Sequence, residues 1–361
     1  MTQPMTQPTP FGISGWRFPR AFLRALGLFK ACAAQVNGAQ GLLSTDLSQA
    51  IDAAAQGVAD SRYDDQFPVD VLQTGSGTST NMNANEVIAT LAGRRLGRPV
   101  HPNDDINRGQ SSNDVIPTVI HVAAAQELQS LTGALDSLRE AIDARAREFA
   151  SVVKTARTHL MDAVPMTLGQ ELSGWAAQLD ADLGRLADTQ RRLLLIAQGG
   201  TAVGTGLNTA PEFAEHFAAA LAERTGLAFR PAPNAFAAIG AQDNRFQLAT
   251  MLPLIAFDLL QQLALLTAAA GSLETLAIAR FEANTAVLGE RARRNLMLVT
   301  ALTPRIGYDL ASRIARTALA EGRAIIDVGR EQSGLPEAEL VQLLDPARSA
   351  CPHETDGVDG A

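Results

Sequence analysis

The sequence is poor in cysteine, lysine and aromatic residues at once. Of 361 residues, two are cysteine (Cys32 and Cys351), two tryptophan and two tyrosine, and aromatics reach only 5%. Two cysteines with neither a Cys-x-x-Cys pair nor a ligand-like cluster exclude a disulfide scaffold and a structural zinc site, and they favour a reducing, cytoplasmic compartment. Lys30 and Lys154 are the only lysines, and Lys plus Arg (30) falls short of Asp plus Glu (38), which leaves a formal charge of −8. That is the wrong sign for a phosphate-neutralising surface, so no nucleic-acid partner is expected. A long clean apolar run is missing too: the most apolar stretch, Met251 to Leu273, contains Pro253, Asp258, Gln261 and Gln262. A membrane span needs about 20 apolar residues, so this stretch reads as a buried helix and no membrane partner is expected. Residues 1–45 lack Asp and Glu but hold Arg17, Arg20, Arg24 and Lys30, a bias shared with transit peptides.

Hydrophobic residues make up 46% of the chain, mainly Ala and Leu, which favours helix. Residues 1–17 open with Met-Thr-Gln-Pro twice and read as a disordered leader. Helical patterning starts at Pro19, and short helices with an irregular segment around Thr74 to Asn85 fill the chain to about residue 100. A long helix is expected from Ser111-Ser112-Asn113-Asp114, whose side chains suit a cap, and Leu128, Leu131, Leu135, Leu138 and Ile142 step by three and four along it. A second is expected over Thr167 to Gln198, ending at Gly199-Gly200, and a third over about Arg245 to Ala283. At 1.5 Å per residue a helix of some 30 residues spans roughly 45 Å, a length that usually packs against copies of itself. The acidic, Gly-bearing tail from Pro346 reads as disordered.

Three polar clusters interrupt this apolar pattern: Thr74 to Asn81, His101-Pro102-Asn103-Asp104 running on to Asn113, and Arg157-Thr158-His159-Leu160. Hydroxyls, amides and backbone N–H groups at helix N-termini donate to oxygen, and the helix dipole adds partial positive charge, so the set suits a small anionic metabolite. Each cluster alone has an ordinary explanation: a helix cap, a loop of Asx and Ser/Thr turns, a structural histidine. Gly199 to Gly206 reads as a tight reversal, since it lacks the Gly-Lys-Ser/Thr ending of a nucleotide loop.

Taken together the clusters resemble a known family. Gln73 to Thr78, Asn81 to Glu86, His101 to Asp104 and Gln110 to Asp114 are similar to class II fumarases of the fumarase/aspartase superfamily. So are Arg157 to Ala163, Thr167 to Glu171, Gly199 to Asn208, Asn295 to Leu302 and Ile306 to Asp309, and the resemblance covers about residues 18–345. It makes the basic amino-terminal stretch part of the folded protein. Thr158 followed by His159 resembles fumarases, where aspartases carry Gln.

The resemblance implies an all-α fold with a long central helix bundle (111–285) between two small, mainly helical domains (18–110 and 286–345), followed by a tail over 346–361. It implies a homotetramer with no cofactor or metal, acting on fumarate and malate by reversible hydration. Ser76, Gly77, Thr78, Ser111, Ser112, Asn113 and Thr158 would bind substrate carboxylates and His159 would be catalytic, while His101, Asn103 and Asp104 would form a second, peripheral anion site. In the family a Glu holds the His that serves the water, and a Ser on a mobile loop takes the carbon-bound proton.

That loop, Gly-Ser-Ser-x-Met-x-x-Lys-x-Asn, has no match here: the only adjacent serines are Ser111-Ser112. Reading the pattern from both sides places a deletion between about Asp243 and Asn244, which shortens the bundle and removes the loop's Ser, Lys and Asn and the Glu that would orient His159. The alternative to an active enzyme is therefore an inactive relative serving in small-anion binding or in assembly, including co-assembly with a full-length paralogue.

Overall fold

The computed structural model describes residues 12–73, 76–240 and 252–350. In chain order the helices are α1 Arg20–Ala39, α2 Thr45–Ala59, α3 Thr78–Leu96, α4 Ser112–Glu148, α5 Leu168–Leu193, α6 Phe213–Thr225 and α7 Ala235–Gly240. They continue as α8 Leu252–Ser272, α9 Thr285–Arg293, α10 Thr303–Ile306, α11 Tyr308–Glu321, α12 Ile325–Gln332, α13 Glu337–Leu343 and α14 Pro346–Ala350. Strands β1 Val153–Thr158 and β2 Met161–Thr167 pair antiparallel, and the two-residue strands β3 Leu195–Ile196 and β4 Arg230–Pro231 pair parallel. The fold is all-α, as expected. Among the described residues no helix is long and apolar enough to cross a membrane.

Two compact units divide the chain: residues 1–133 with 184–269, and 134–183 with 270–361. The dividing points fall inside α4, α5 and α8.

In the first unit α1 is buried almost all round, with Phe22, Ala25, Leu26 and Phe29 fully enclosed. A helix apolar on every face belongs at the centre of other helices. α2 lies so close that a Cβ on Gly27 would stand 2.5 Å from the Ala59 nitrogen, and Phe29 packs on Phe217 of α6 with ring centroids 4.7 Å apart. α3 begins at Thr78, inside the segment expected to be irregular, because Gly77 takes φ +75° and turns the chain into the helix. Only glycine adopts that backbone freely. Its bare Cα also faces Ile116 of α4, whose Cδ1 would lie 2.9 Å from an added Cβ.

The leader is shorter than the sequence suggests. The Ser14 and Gly15 N–H groups each donate to the buried Asp70 carboxylate at 2.8 Å, the Ser14 hydroxyl donates to it at 2.8 Å, and Val71 N–H donates to the Trp16 carbonyl. A buried carboxylate requires donors, and this stretch supplies them. Burial raises the Asp70 carboxyl, but the N–H groups of Leu72, Ser14 and Gly15 and the Ser14 hydroxyl outweigh it and hold the group at about 2.

In the second unit Leu138, Ile142 and Ala146 of α4, with Phe149 just beyond its end, meet Leu172 and Ala176 of α5, which accounts for the leucine seam in its latter half. A separate core joins Leu298, Leu302, Ile314, Val328 and Leu340. Two expectations are corrected here, after one placement that the sequence left open. The Arg157 to Leu160 cluster lies on a β-hairpin, because Val153 to Thr158 and Met161 to Thr167 pair across a two-residue turn. The tail stays folded through α14, where the Ala350 carbonyl accepts from Gln170 Nε2 at 3.0 Å. The third long helix is α8, followed by a wider π-helical turn over Leu273–Ile278. The inferred junction at Asp243/Asn244 and the tail beyond residue 350 lie outside the described residues.

Two outcomes follow from these contacts. Asp70→Asn should lower stability at pH 7 by about 1.5–3 kcal/mol, the usual worth of hydrogen bonds to a charged group. Because the folded-state value is depressed, that contribution is present above the ordinary carboxyl range and lost as pH falls toward about 2, so urea midpoints of the two proteins should converge between about pH 4 and pH 2. Gly77→Ala meets both a positive φ and Ile116, and should lose about 1–3 kcal/mol in the same titration.

Candidate functional site

The site is built around the start of α4. Ser111 precedes the helix, and its Oγ accepts from the Asn113 N–H at 3.3 Å, while Asp114 Oδ1 accepts from the Ser111 N–H at 2.9 Å. This is a reciprocal capping box with Asp in the third helical position. The other oxygen, Asp114 Oδ2, accepts from the N–H groups of Thr201 at 2.8 Å and Gly199 at 3.2 Å. One buried carboxylate thus fastens the α4 N-terminus to the glycine-rich reversal at 199–206. Asn113 adds a second tie, donating from Nδ2 to the Ala202 carbonyl at 2.8 Å.

Behind this lies an amide network. Asn81 of α3 donates from Nδ2 to Ser112 Oγ at 3.0 Å and to Asn107 Oδ1 at 3.3 Å, and Asn85 Nδ2 reaches the same Asn107 oxygen at 3.2 Å. Lys30 of α1 donates from Nζ to Asn107 Oδ1 at 3.2 Å and to Gln110 Oε1 at 2.7 Å. Burial raises the Asp114 carboxyl to about 6, opposed by its three N–H donors and by the Lys30 charge. Burial lowers the Lys30 ammonium to about 7, opposed by the Asp114 charge.

These segments wall a cleft of about 630 Å³ whose lining includes Asn103, Asp104, Asn107, Gln110, Ser111, Ser112 and Thr201. The structure therefore brings Ser111 and Ser112 together with two residues of the expected second anion site. His101, the third, caps the turn over Pro102–Ile106, its Nδ1 accepting from the Asp104 N–H at 3.0 Å. Ser76 and Thr78 are exposed at the α3 N-terminus with hydroxyl oxygens 3.0 Å apart, and α3 is tied to α4 through Asn81 and Gly77. Two helix N-termini, each lined with hydroxyls, are thus locked to one another. Ser112 Oγ already accepts from Asn81, so its own hydrogen is left to donate elsewhere, as carboxylate recognition requires. A second cleft of about 620 Å³, lined by Glu86, Arg94 and Arg98 among others, contains none of the expected site residues.

Thr158 and His159 belong to the other unit, at the tip of the β1–β2 hairpin, and both are exposed. His159 and Leu160 adopt φ +51° and +62°. Two-residue hairpin turns demand such angles and normally use Asn-Gly, so this pair holds strained backbone at the tip. Among the described residues His159 has no hydrogen-bond or ion-pair partner, and no group of three or more His, Cys, Asp or Glu is placed to hold a metal ion.

Several members of the site escaped the sequence reading. Asp114 reads as a cap alone, and nothing local shows that its second oxygen reaches residues 199 and 201. Thr201, 5% exposed, lines the cleft with an Oγ1 that has no partner among the described residues. Its signal was the Gly199 to Asn208 string, which reads locally as a turn and carries the family resemblance without a role for Thr201.

Comparison with known proteins matches these features to one family. Residues 11–264 match a family model described as lyase, and residues 298–348 match one described as the fumarase C C-terminus. The chain is 40% identical to a class II fumarate hydratase of Xylella fastidiosa, over 93% of this chain and 89% of that protein. It is also 40% identical to "Fumarate hydratase class II 2" of Pseudomonas aeruginosa, over 94% and 92%. The crystal structure of a class II fumarase from Schistosoma mansoni superposes with a TM-score of 0.89 at 28% identity, covering 95% of this chain and 94% of that one. The Xylella alignment runs over 419 positions but takes in 93% of the 361 residues here, so about 80 of those positions have no counterpart in this chain. With both family models, the identities and the fold in agreement, the chain belongs to the class II fumarate hydratase family.

Proposed function

We propose that the chain binds fumarate or malate and interconverts them by reversible hydration. The observation that carries this reading is the pair of interlocked, hydroxyl-lined helix N-termini of α3 and α4. Ser76, Gly77 and Thr78 on one, and Ser111, Ser112 and Asn113 on the other, would take the substrate carboxylates, with Thr158 assisting from the hairpin. His101, Asn103 and Asp104 would form a peripheral anion site, and the working assembly would be a homo-oligomer, a tetramer by family likeness, in the cytoplasm.

Removing a proton alpha to a carboxylate loads that carboxylate with negative charge, so rate depends on donors aimed at it and on an acid/base pair on opposite faces. Helix dipoles and hydroxyl donors would serve the first need. His159 would serve water on one face, and the strain held at its turn supports a role for what the tip presents. No residue is assigned to the carbon-bound proton. The family's loop serine belongs to the segment read as deleted near Asp243/Asn244.

A second reading is binding without turnover, in which the chain retains the carboxylate cradle and serves in small-anion binding or in assembly, including co-assembly with a full-length paralogue. It is favoured by the absence of a partner for His159 among the described residues and by the unmatched positions of its relatives.

The two readings part in one assay. Purified protein from a host lacking its own class II fumarase should consume fumarate, followed by its ultraviolet absorbance, and His159→Ala should lower kcat by about 10²–10⁴, the span of general acid/base catalysis. No turnover by either protein, with helical circular dichroism intact and dicarboxylate still bound, would establish the second reading.

A further inference from the structure

We infer that Lys30 is a positioning residue for carboxylate binding: its ammonium, buried behind the cleft, holds Asn107 and Gln110 and through them sets the Ser111–Asn113 segment. The inference rests on the reading that this segment receives a carboxylate.

Lysine is almost never fully buried unless paired, yet Lys30 is 1% exposed and its hydrogen-bond acceptors among the described residues are two uncharged amides. The charge acting on it is that of Asp114, which is not among its hydrogen-bond partners. A buried ammonium resting on neutral amides costs stability relative to an apolar side chain of the same length.

What it orders is visible in the amides. Both turn their oxygens toward Nζ, which sends their NH₂ groups into the turn before Ser111. Gln110 Nε2 donates to the Ile106 carbonyl at 2.9 Å and to Arg108 at 3.2 Å, and Asn107 Nδ2 donates to the Gln110 carbonyl at 3.2 Å. The Asn107 oxygen that accepts from Lys30 also accepts from Asn81, and Asn81 fixes Ser112 Oγ as an acceptor. Loss of the ammonium removes the donor to Gln110 Oε1 and one of the three donors to Asn107 Oδ1, which Asn81 and Asn85 also reach, and so loosens the lacing of residues 106–112. Burial brings the ammonium to about 7 against the pull of Asp114, so the pin loses its charge as pH rises through neutrality.

The test is calorimetric titration of succinate, a dicarboxylate that cannot be hydrated, into wild type and Lys30→Met. At pH 6.5 the substitution should weaken binding at least tenfold while helical content is unchanged and Tm does not fall; a merely structural lysine would lower Tm instead. Wild-type affinity should drop several-fold between pH 6.5 and 8.5, should do so equally in a background carrying both His101→Ala and His159→Ala, and that drop should be lost in Lys30→Met, where Asp114 is the titrating group left in the network. Affinity of Lys30→Met within twofold of wild type, or a pH-independent wild type, would overturn the inference alone. Should Lys30→Met fail to fold, Lys30→Gln decides it by the same tenfold criterion at pH 6.5. Absence of succinate binding by wild type at every pH overturns the carboxylate reading, and the inference with it.

Discussion

The first unit depends on the two oxygens of Asp114. One closes the cap of α4 on Ser111; the other accepts N–H groups from Gly199 and Thr201, 85 and 87 residues away in sequence. A carboxylate removed from water must be met by donors or charge, and here three backbone N–H groups meet it at the positive end of a helix dipole. Lys30 adds an opposite charge on the far side of the same network. The result fixes a helix terminus, a glycine-rich reversal and an amide cluster as one object, which a cleft for a small anion needs more than it needs bulk.

That arrangement spends core volume on polar groups. Asn81, Asn83 and Asn85 of α3 are fully buried, where a helix against a core would ordinarily carry aliphatic side chains. Such networks specify geometry when satisfied and cost stability when they are not. Asn81 and Asn85 each keep a side-chain oxygen without a hydrogen-bond partner among the described residues, and so does Thr201 in the cleft wall. Apolar packing elsewhere in the unit, above all the fully enclosed Phe22, Leu26 and Phe29 of α1, offsets that cost. At the hairpin the expenditure is of another kind: backbone strain at His159 and Leu160, with the Leu160 side chain 99% exposed.

Much of this was legible in the sequence because it is local or periodic. The three-and-four spacing of Leu138 and Ile142 marks a helix face, Ser111 to Asp114 marks a cap, and the Thr158-His159 and His101 to Asp104 strings carry a family resemblance that the comparisons bear out at the level of the family. What stayed hidden depends on distant pairing. The hairpin escaped because Val153 to Thr167 has no clean alternation and its turn uses His-Leu where Asn-Gly would announce it. The hold of Ser14 and Gly15 on Asp70 spans more than 50 residues and leaves no periodic trace. Lys30 shares its helix with Arg20 and Arg24, and nothing in the sequence separates the buried cation from the other two.

The claim that one carboxylate unites the cleft is tested most directly by amide hydrogen exchange in Asp114→Ala. The account predicts that segments 111–115 and 199–203 lose protection together while Arg20–Ala39 and Thr45–Ala59 keep theirs. Protection lost in only one of the two segments, or in neither, would contradict it.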